Sequence, residues 1–286
     1  MIAVRLIGGL GNQMFQYAAG RALAERLGTE LVLDARDFEH YTLYGYGLDK
    51  FAIRAPVATP EQLARWPSWI RRWSRRLRRV GIRTRWYAEI QFHYDSAWES
   101  IPDGTMIDGY FQSERYFPGM AGALRREFTP VAPLSPQNAQ YAELARGCES
   151  VMIHVRRGDY VTNAKTLKIH GVCSVDYYRA SIAAMRERLA APRFFVFSND
   201  MAWARENLPL GDDAVYVEGN GKAPEVDIHL MAQCRHHVIA NSSFSWWGAW
   251  LGAHPQKIVI APEPWFDNAR HVADDLVPSG WLRLPK

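Results

Sequence analysis

Cysteine is scarce in this chain: Cys148, Cys173 and Cys234 are the only three. An odd number at wide spacing, with no CxxC pair, argues against a disulfide framework or a thiolate zinc site. A reducing compartment is the simplest setting for it. A surplus of one charge is missing too. Lys and Arg number 34 against 30 Asp and Glu, a balance that by itself points to no nucleic-acid partner. No uncharged apolar run approaches the ~20 residues that span a bilayer. The opening Met1–Gly9 is shorter than a secretory signal and has no cleavage region. The expectation is a cytoplasmic protein, soluble or attached only peripherally at the inner face of the cell membrane. His-Glu-x-x-His and Gly-x-Ser-x-Gly are absent, so neither a zinc protease nor a serine hydrolase is supported. Asp227, His229, His236 and His237 have no convincing metal-ligand spacing, and the neighbours His236 and His237 face opposite ways on a strand.

What is present is a globular composition, 48% hydrophobic against 22% charged, over a length that holds one large domain or two ordinary ones. The start reads as strand Ile2–Ile7, a tight loop Gly8-Gly9-Leu10-Gly11, helix Asn12–Leu27 with Asn12 as N-cap, a stop at Gly28, and strand Glu30–Asp34. Asp37–Val57 reads as irregular. Pro130–Pro136 reads as a linker, giving lobes over 1–135 and 136–286. The second lobe alternates strand and helix: Val151–Val155, Ser174–Leu189, Phe194–Ser198, Met201–Asn207, Ala214–Glu218, Pro224–Cys234, His237–Ala240, Ser243–Leu251, with Lys257–Ala261 as last strand. That alternation predicts a parallel sheet covered by helices.

The chemistry gathers at the ends of the strands. Val151-Met152-Ile153-His154-Val155-Arg156-Arg157-Gly158-Asp159-Tyr160 runs an apolar strand into two arginines, and guanidinium forks onto paired oxygens such as those of phosphate. If the strand persists that far, alternation puts His154 and Arg156 on one face and Arg157 on the other, where a structural carboxylate is its alternative partner. Three further loops should meet the same sheet edge: Ser198-Asn199-Asp200, Glu218 to Lys222, and Asn241 to Ser245. In the last, Ser243 or Ser245 either caps a helix or holds a phosphate together with free N–H groups. Trp246, Trp247 and Trp250 read as core. Gly9-Leu10-Gly11-Asn12-Gln13-Met14 begins like a dinucleotide fingerprint, but Met14 stands where the third glycine belongs. An anion-binding turn and a plain tight turn both remain open for it.

Together these residues resemble the α1,2-fucosyltransferase family (glycosyltransferase family 11) in its bacterial form. Gly8-Gly9-Leu10-Gly11-Asn12-Gln13-Met14-Phe15-Gln16-Tyr17 resembles its N-terminal signature and His154–Tyr160 its HxRRxDY donor motif. Phe195–Asp200 and Asp227–Trp250 resemble its second and third motifs. The resemblance implies an α/β, GT-B-like glycosyltransferase with two Rossmann-like lobes. The C-terminal lobe would bind GDP-fucose and the N-terminal lobe would present a galactose-containing acceptor, with no metal or other cofactor and no nucleic acid. Similarity to α1,6- and protein O-fucosyltransferases implies that His154 and Asp227 hold guanine. It further implies that Arg156, supported by Arg157, grips the diphosphate, that Ser243 contacts the β-phosphate, and that Asn12 sits by the breaking bond. Ser198, Asn199, Asp200 and Phe244 complete the expected donor site. The α1,6 enzymes use a Glu a little beyond their Arg pair; Ala164 stands near that distance here, so the role does not transfer. Asp159 is the candidate base, with orientation of Arg157 or capping of the loop as its alternatives, and Glu114 and Glu218 are in reserve.

One segment lies outside that resemblance. The segment Glu61–Trp86 carries Leu63, Trp66, Ile70, Trp73, Leu77 and Val80 at helical spacing, one face of a helix that starts near Pro67 and runs to about residue 80, with Arg71, Arg72, Arg75, Arg76, Arg78 and Arg79 on the other face. No acidic residue lies between Glu61 and Glu89. Either the helix packs its Trp/Leu stripe on its own domain, or it meets an anionic membrane surface.

Overall fold

The computed structural model describes residues 1–40, 43–82, 84–158, 161, 163–212, 214–268 and 274–286. The chain divides into two compact units, Met1–Thr129 with Val272–Pro278, and Pro130–His271 with Ser279–Lys286. The boundary falls where the proline-rich segment begins. Among the described residues no helix is long and apolar enough to cross a membrane.

The first unit holds β1 (Ile2–Arg5), α1 (Leu10–Leu27), β2 (Leu31–Asp34), α2 (Pro60–Leu63), α3 (Ser68–Arg79), β3 (Trp86–Ala88), β4 (Met106–Asp108) and α4 (Ala121–Glu127). Its strands are all parallel in the order β2-β1-β4-β3. All four residues of β1 are buried, as expected for a strand covered on both faces. The one charge among them, Arg5, donates to Asp108 at 2.8 Å. Helix α1 begins two residues earlier than the sequence suggests. Gly9 is its N-cap, and Asn12 lies in the first turn with its N–H bonded to the Gly9 carbonyl at 2.9 Å. Asn12 is therefore not the cap, and its side chain is left for another use. Gly28 ends the helix at φ 61°, a left-handed stop that favours glycine. Met14 is fully buried. The close helix–strand approach falls instead at Gly20, where a Cβ would stand 3.0 Å from Leu31 and 3.4 Å from Val4.

The second unit holds α5 (Pro136–Gly147), β5 (Glu149–Val155), α6 (Ala164–His170), α7 (Val175–Arg188), β6 (Pro192–Ser198), α8 (Met201–Asn207), β7 (Val215–Tyr216), α9 (Pro224–Gln233), β8 (His236–Val238), α10 (Ser243–Leu251), β9 (Val259–Glu263) and β10 (Leu282–Pro285). The strand beyond β9 was not expected. β10 pairs parallel with β9, from Leu282 on Ile260 to Pro285 on Glu263, and three of its four residues are exposed, so no buried apolar run announces it. The sheet order is β10-β9-β8-β5-β6-β7, all parallel. Central β5 buries Val151, Ile153 and Val155 completely, at about 1.5–3 kcal/mol each. Trp246 and Trp247 are fully buried in the core, as read from sequence.

In both sheets the chain order reverses beside the first strand, between β5 and β8 in the second unit and between β1 and β4 in the first. Loops leaving two such neighbours on opposite paths open a crevice at the carboxyl edge, which is where open α/β sheets bind ligands.

Candidate active site

In the second unit, His154 and Arg156 stand at the carboxyl end of β5, beside the point where the sheet order reverses toward β8. His154 is 4% exposed. Burial first, then the neighbouring Arg156 charge, pushes its imidazole down to about 3. It is neutral at physiological pH, and its Nδ1 has no hydrogen-bond partner among the described residues. A buried polar atom without a partner is costly, and a bound group that pairs with it removes that cost. The Phe244 ring lies 5.7 Å from the imidazole, centroid to centroid. Arg156, half-buried, stands just past the end of β5, near enough for its charge to act on His154.

Arg157 faces another set of partners. Its Nε is 3.4 Å from the Asp200 carboxylate, and its guanidinium lies 4.2 Å from the Trp203 ring centroid. Its backbone N–H donates to Asn199 Oδ1 at 2.9 Å. Asp200 also caps α8 by accepting from the Trp203 N–H, and Ser198 Oγ accepts from the Asp200 N–H at 2.9 Å. Ser198, Asn199 and Asp200 thus brace the arginine loop from β6. Asn199 fits so closely that a Cβ on Gly158 would stand 2.2 Å from its amide nitrogen.

Asp227 lies on α9, after β7. Burial pushes its carboxyl up to about 6, against the Asn220 hydrogen bond that lowers it, and the charge of Glu225 raises it further. Asn220 donates to Asp227 at 2.9 Å and exchanges two side-chain bonds with Asn138, at 2.9 and 3.1 Å. This bracket was not read from sequence, because Asn138 sits 82 residues before Asn220. Past β8, the helix cap is Ser242, whose hydroxyl accepts from the Phe244 N–H, and not Ser243 or Ser245. Ser245 turns back to the carbonyls of Ala240 and Ser242. Among the described residues the Ser243 hydroxyl has no hydrogen-bond partner, which leaves it available at the N-terminus of α10. Asp159 and Tyr160, both in the donor motif, lie outside the described residues. Glu218 forms an exposed ion pair with Arg205 at 3.0 Å. No group of three or more His, Cys, Asp or Glu among the described residues is placed to hold a metal ion.

The first unit has its own carboxyl-edge cluster. Asn12 Oδ1 accepts from Gln112 Nε2 at 2.8 Å, joining the first turn of α1 to the loop after β4. Gln16 bonds Ile7 on both sides and the Gly109 carbonyl, and Gln13 holds the Gly8, Gly45 and Gly47 backbone. Glu89, at the end of β3, was missed. Its carboxylate accepts from the Tyr110 and Phe111 N–H groups at 2.7 and 3.0 Å, and a Cβ on Gly109 would stand 2.3 Å from the Glu89 Cβ and 2.8 Å from its carboxylate oxygen. Burial nevertheless pushes it up to about 7. The clue in the sequence was an acid straight after a buried apolar strand. Glu89 sets the loop that carries Gln112, and Gln112 fixes Asn12. Glu114 is half-buried in the next short turn.

A family model described as Glycosyl transferase family 11 matches residues 1–284. The chain is similar to an alpha-1,2-colitosyltransferase of Escherichia coli, 38% identical over 100% of this chain and 99% of that protein. It is also similar to the O-antigen biosynthesis glycosyltransferase WbnK of Escherichia coli, 31% identical over 98% and 99%. The galactoside alpha-(1,2)-fucosyltransferase 1 of Saimiri sciureus is 30% identical over 85% of this chain and 63% of its own length. Among solved structures, Arabidopsis thaliana FUT1 in complex with GDP shares the fold, with TM-score 0.55 over 92% of this chain and 71% of that one at 14% identity. The two parallel-sheet units are the Rossmann-like lobes of the GT-B fold class. The chain belongs to glycosyltransferase family 11.

Proposed function

We propose that this glycosyltransferase moves L-fucose from GDP-β-L-fucose to the 2-hydroxyl of a terminal galactoside in a cell-surface glycan. The anomeric centre inverts, an α1,2-fucosyl linkage forms, and no metal takes part. The observation that carries this reading is the β5 edge, where a neutral, buried His154 with an unpaired Nδ1 is followed two residues on by Arg156.

The chemistry follows from charge. Guanine presents N–H donors on one edge, which suit the Asp227 carboxylate, and a polar rim that suits the unpaired His154 nitrogen. As the bond from the sugar C1 to the phosphate oxygen breaks, negative charge grows on the diphosphate. Arg156 holds a fixed positive charge there, and the Ser243 hydroxyl and the N–H groups opening α10 add donors. Arg157, tied to Asp200 and Trp203, keeps the loop in place rather than gripping the ligand. A guanidinium and a helix terminus do for the leaving group what a divalent ion does in other sites. The acceptor hydroxyl loses its proton to a base, the role we assign to Asp159. In the first unit, the Glu89–Gln112–Asn12 relay orders the loop we assign to the reaction.

A second reading is favoured by the 38%-identical relative named for colitose transfer. Colitose is fucose without its 3-hydroxyl, so the same leaving-group chemistry applies. Nucleoside diphosphate release (GDP from GDP-fucose, GDP-colitose or GDP-mannose, UDP from UDP-galactose), with lactose as acceptor and EDTA present, separates the readings. Turnover of GDP-fucose that survives EDTA is expected. Turnover of GDP-colitose alone gives the second reading, loss in EDTA with recovery on Mg²⁺ removes the metal-free step, and nucleotide binding without turnover removes both readings.

A further inference from the structure

The arginine helix α3 does not bury the stripe that its sequence spacing suggested. Its inner side is formed by Ile70 and Leu77, both half-buried, and fully buried Ser74. Two of its arginines also turn inward. Arg71 pairs with Asp108 at 3.2 Å. Arg78 pairs with Asp95, bonds the Ala88 carbonyl and the Tyr87 hydroxyl, and stacks over the Tyr87 ring at 3.8 Å. These contacts fix which way the helix faces.

Its outer side is mixed. Trp69 is 65% exposed and Trp73 52%, and just past the helix end Val80 is 71% and Ile82 51% exposed. Trp69, Trp73, Arg76 and Val80 follow one another at i, i+4, i+7 and i+11, which is a single ridge. The Arg76 guanidinium lies 5.5 Å from the Trp73 ring centroid. Arg72, Arg75, Arg76 and Arg79 are exposed, and among the described residues none of them has a carboxylate within ion-pair distance. Beside the ridge is a cavity of about 360 Å³ lined by Ser68, Arg71, Arg72, Arg75 and Asp108. Its one carboxylate, Asp108, is already held by Arg5 and Arg71 at 2.8 and 3.2 Å, so Arg72 and Arg75 leave it net positive.

A helix that merely dissolves its charged face has no reason to expose two indoles, a Val and an Ile together. Arginine stems and indole rings share one habitat, the headgroup region of a bilayer, where the apolar body is buried and the polar tip stays wet. A nucleic acid would engage the arginines but would leave Val80 and Ile82 in water. We propose that the outer ridge of α3 docks this protein on the surface of an anionic bilayer, with Trp69, Trp73, Val80 and Ile82 entering the headgroup–acyl boundary and Arg72, Arg75, Arg76 and Arg79 meeting lipid phosphates. The inference rests on α3 alone and stands apart from the choice of donor sugar.

Flotation of the full chain with phosphatidylcholine vesicles, and with vesicles that also contain phosphatidylglycerol, tests it. Recovery is expected with the anionic vesicles and should fall as salt rises. Each arginine near such a surface strengthens partitioning about fivefold, so changing Arg72, Arg75, Arg76 and Arg79 together to Gln should weaken it roughly several hundredfold. Trp69→Ser with Trp73→Ser should weaken it about tenfold or more. All six residues are exposed, so far-UV circular dichroism and GDP release with a soluble acceptor should not change. Lipids carrying a bromine quencher in the acyl chain should dim the emission of the unmodified protein, a readout that needs no variant. Equal recovery with neutral and anionic vesicles overturns the proposal. So does absence of quenching, or a Trp variant that binds anionic vesicles as well as the parent, or equal affinity for vesicles and duplex DNA.

Discussion

Asp227 gives a prediction with a defined pH window. Burial raises its carboxyl from 3.8 to about 6. If guanine donates to this group, only the ionised form binds well. Between pH 7 and pH 5 the ionised share falls from nearly all to about a tenth, so GDP affinity should drop about tenfold with its midpoint near 6. His154 does not share that window, because its titration lies near 3. Asp227→Asn keeps one acceptor for Asn220 but turns an amide toward the donors of guanine. A hydrogen bond to a charged group contributes about 1.5–3 kcal/mol, so GDP should bind about 10–100-fold more weakly and the pH dependence should flatten. Stability moves the other way. A carboxyl raised in the fold stabilises it fully below its ordinary value and loses that contribution as pH rises through about 6. At pH 8 the native state carries a buried charge that costs about 2–3 kcal/mol. The variant should therefore melt at an equal or higher temperature than the parent at pH 8 while binding GDP poorly. Isothermal titration across pH 5–8, paired with thermal melts, reads both effects. A flat GDP affinity in the parent, or a variant with lower melting temperature and unchanged affinity, refutes the reasoning.

Other substitutions separate structure from chemistry at the same edge. Ser242→Ala should cost about 1 kcal/mol of stability through the lost cap, whereas Ser243→Ala should leave the melt unchanged and raise the donor KM; reversed results would exchange their roles. Arg156→Ala should lower kcat by on the order of 10²–10³ in a protein that still melts cooperatively, and parent-like turnover would remove its role at the leaving group.

Much of the second unit was legible because each buried strand ends sharply in polar residues. β5, α8 and α10 fall where the apolar runs and polar stops place them. β10 escaped because it is an exposed edge strand, held by pairing rather than by a hydrophobic face. In the first unit, β3 and β4 are three residues each, too short for alternation to register. The Asn12 cap failed for a local reason: Gly9 already turns the chain, so the helix starts ahead of the residue best suited to cap it. The Ser242 cap was displaced by one position in the same way. Trp73 and Val80 share helical spacing with buried Trp66, but spacing on one helix does not say which side meets the sheet. The ion pairs of Arg71 and Arg78 decide that, and their carboxylates, Asp108 and Asp95, lie well along the chain. Asn138, Asn220 and Asp227 likewise meet only through the fold.

The account rests on Arg156 meeting the diphosphate of a guanine nucleotide at the tip of β5. A crystal structure of this chain with GDP bound examines that contact most directly. The account predicts phosphate oxygens about 3 Å from the Arg156 guanidinium, with the guanine edge on Asp227 and His154. Phosphates seated away from Arg156, with β5 bare at its carboxyl end, would contradict it.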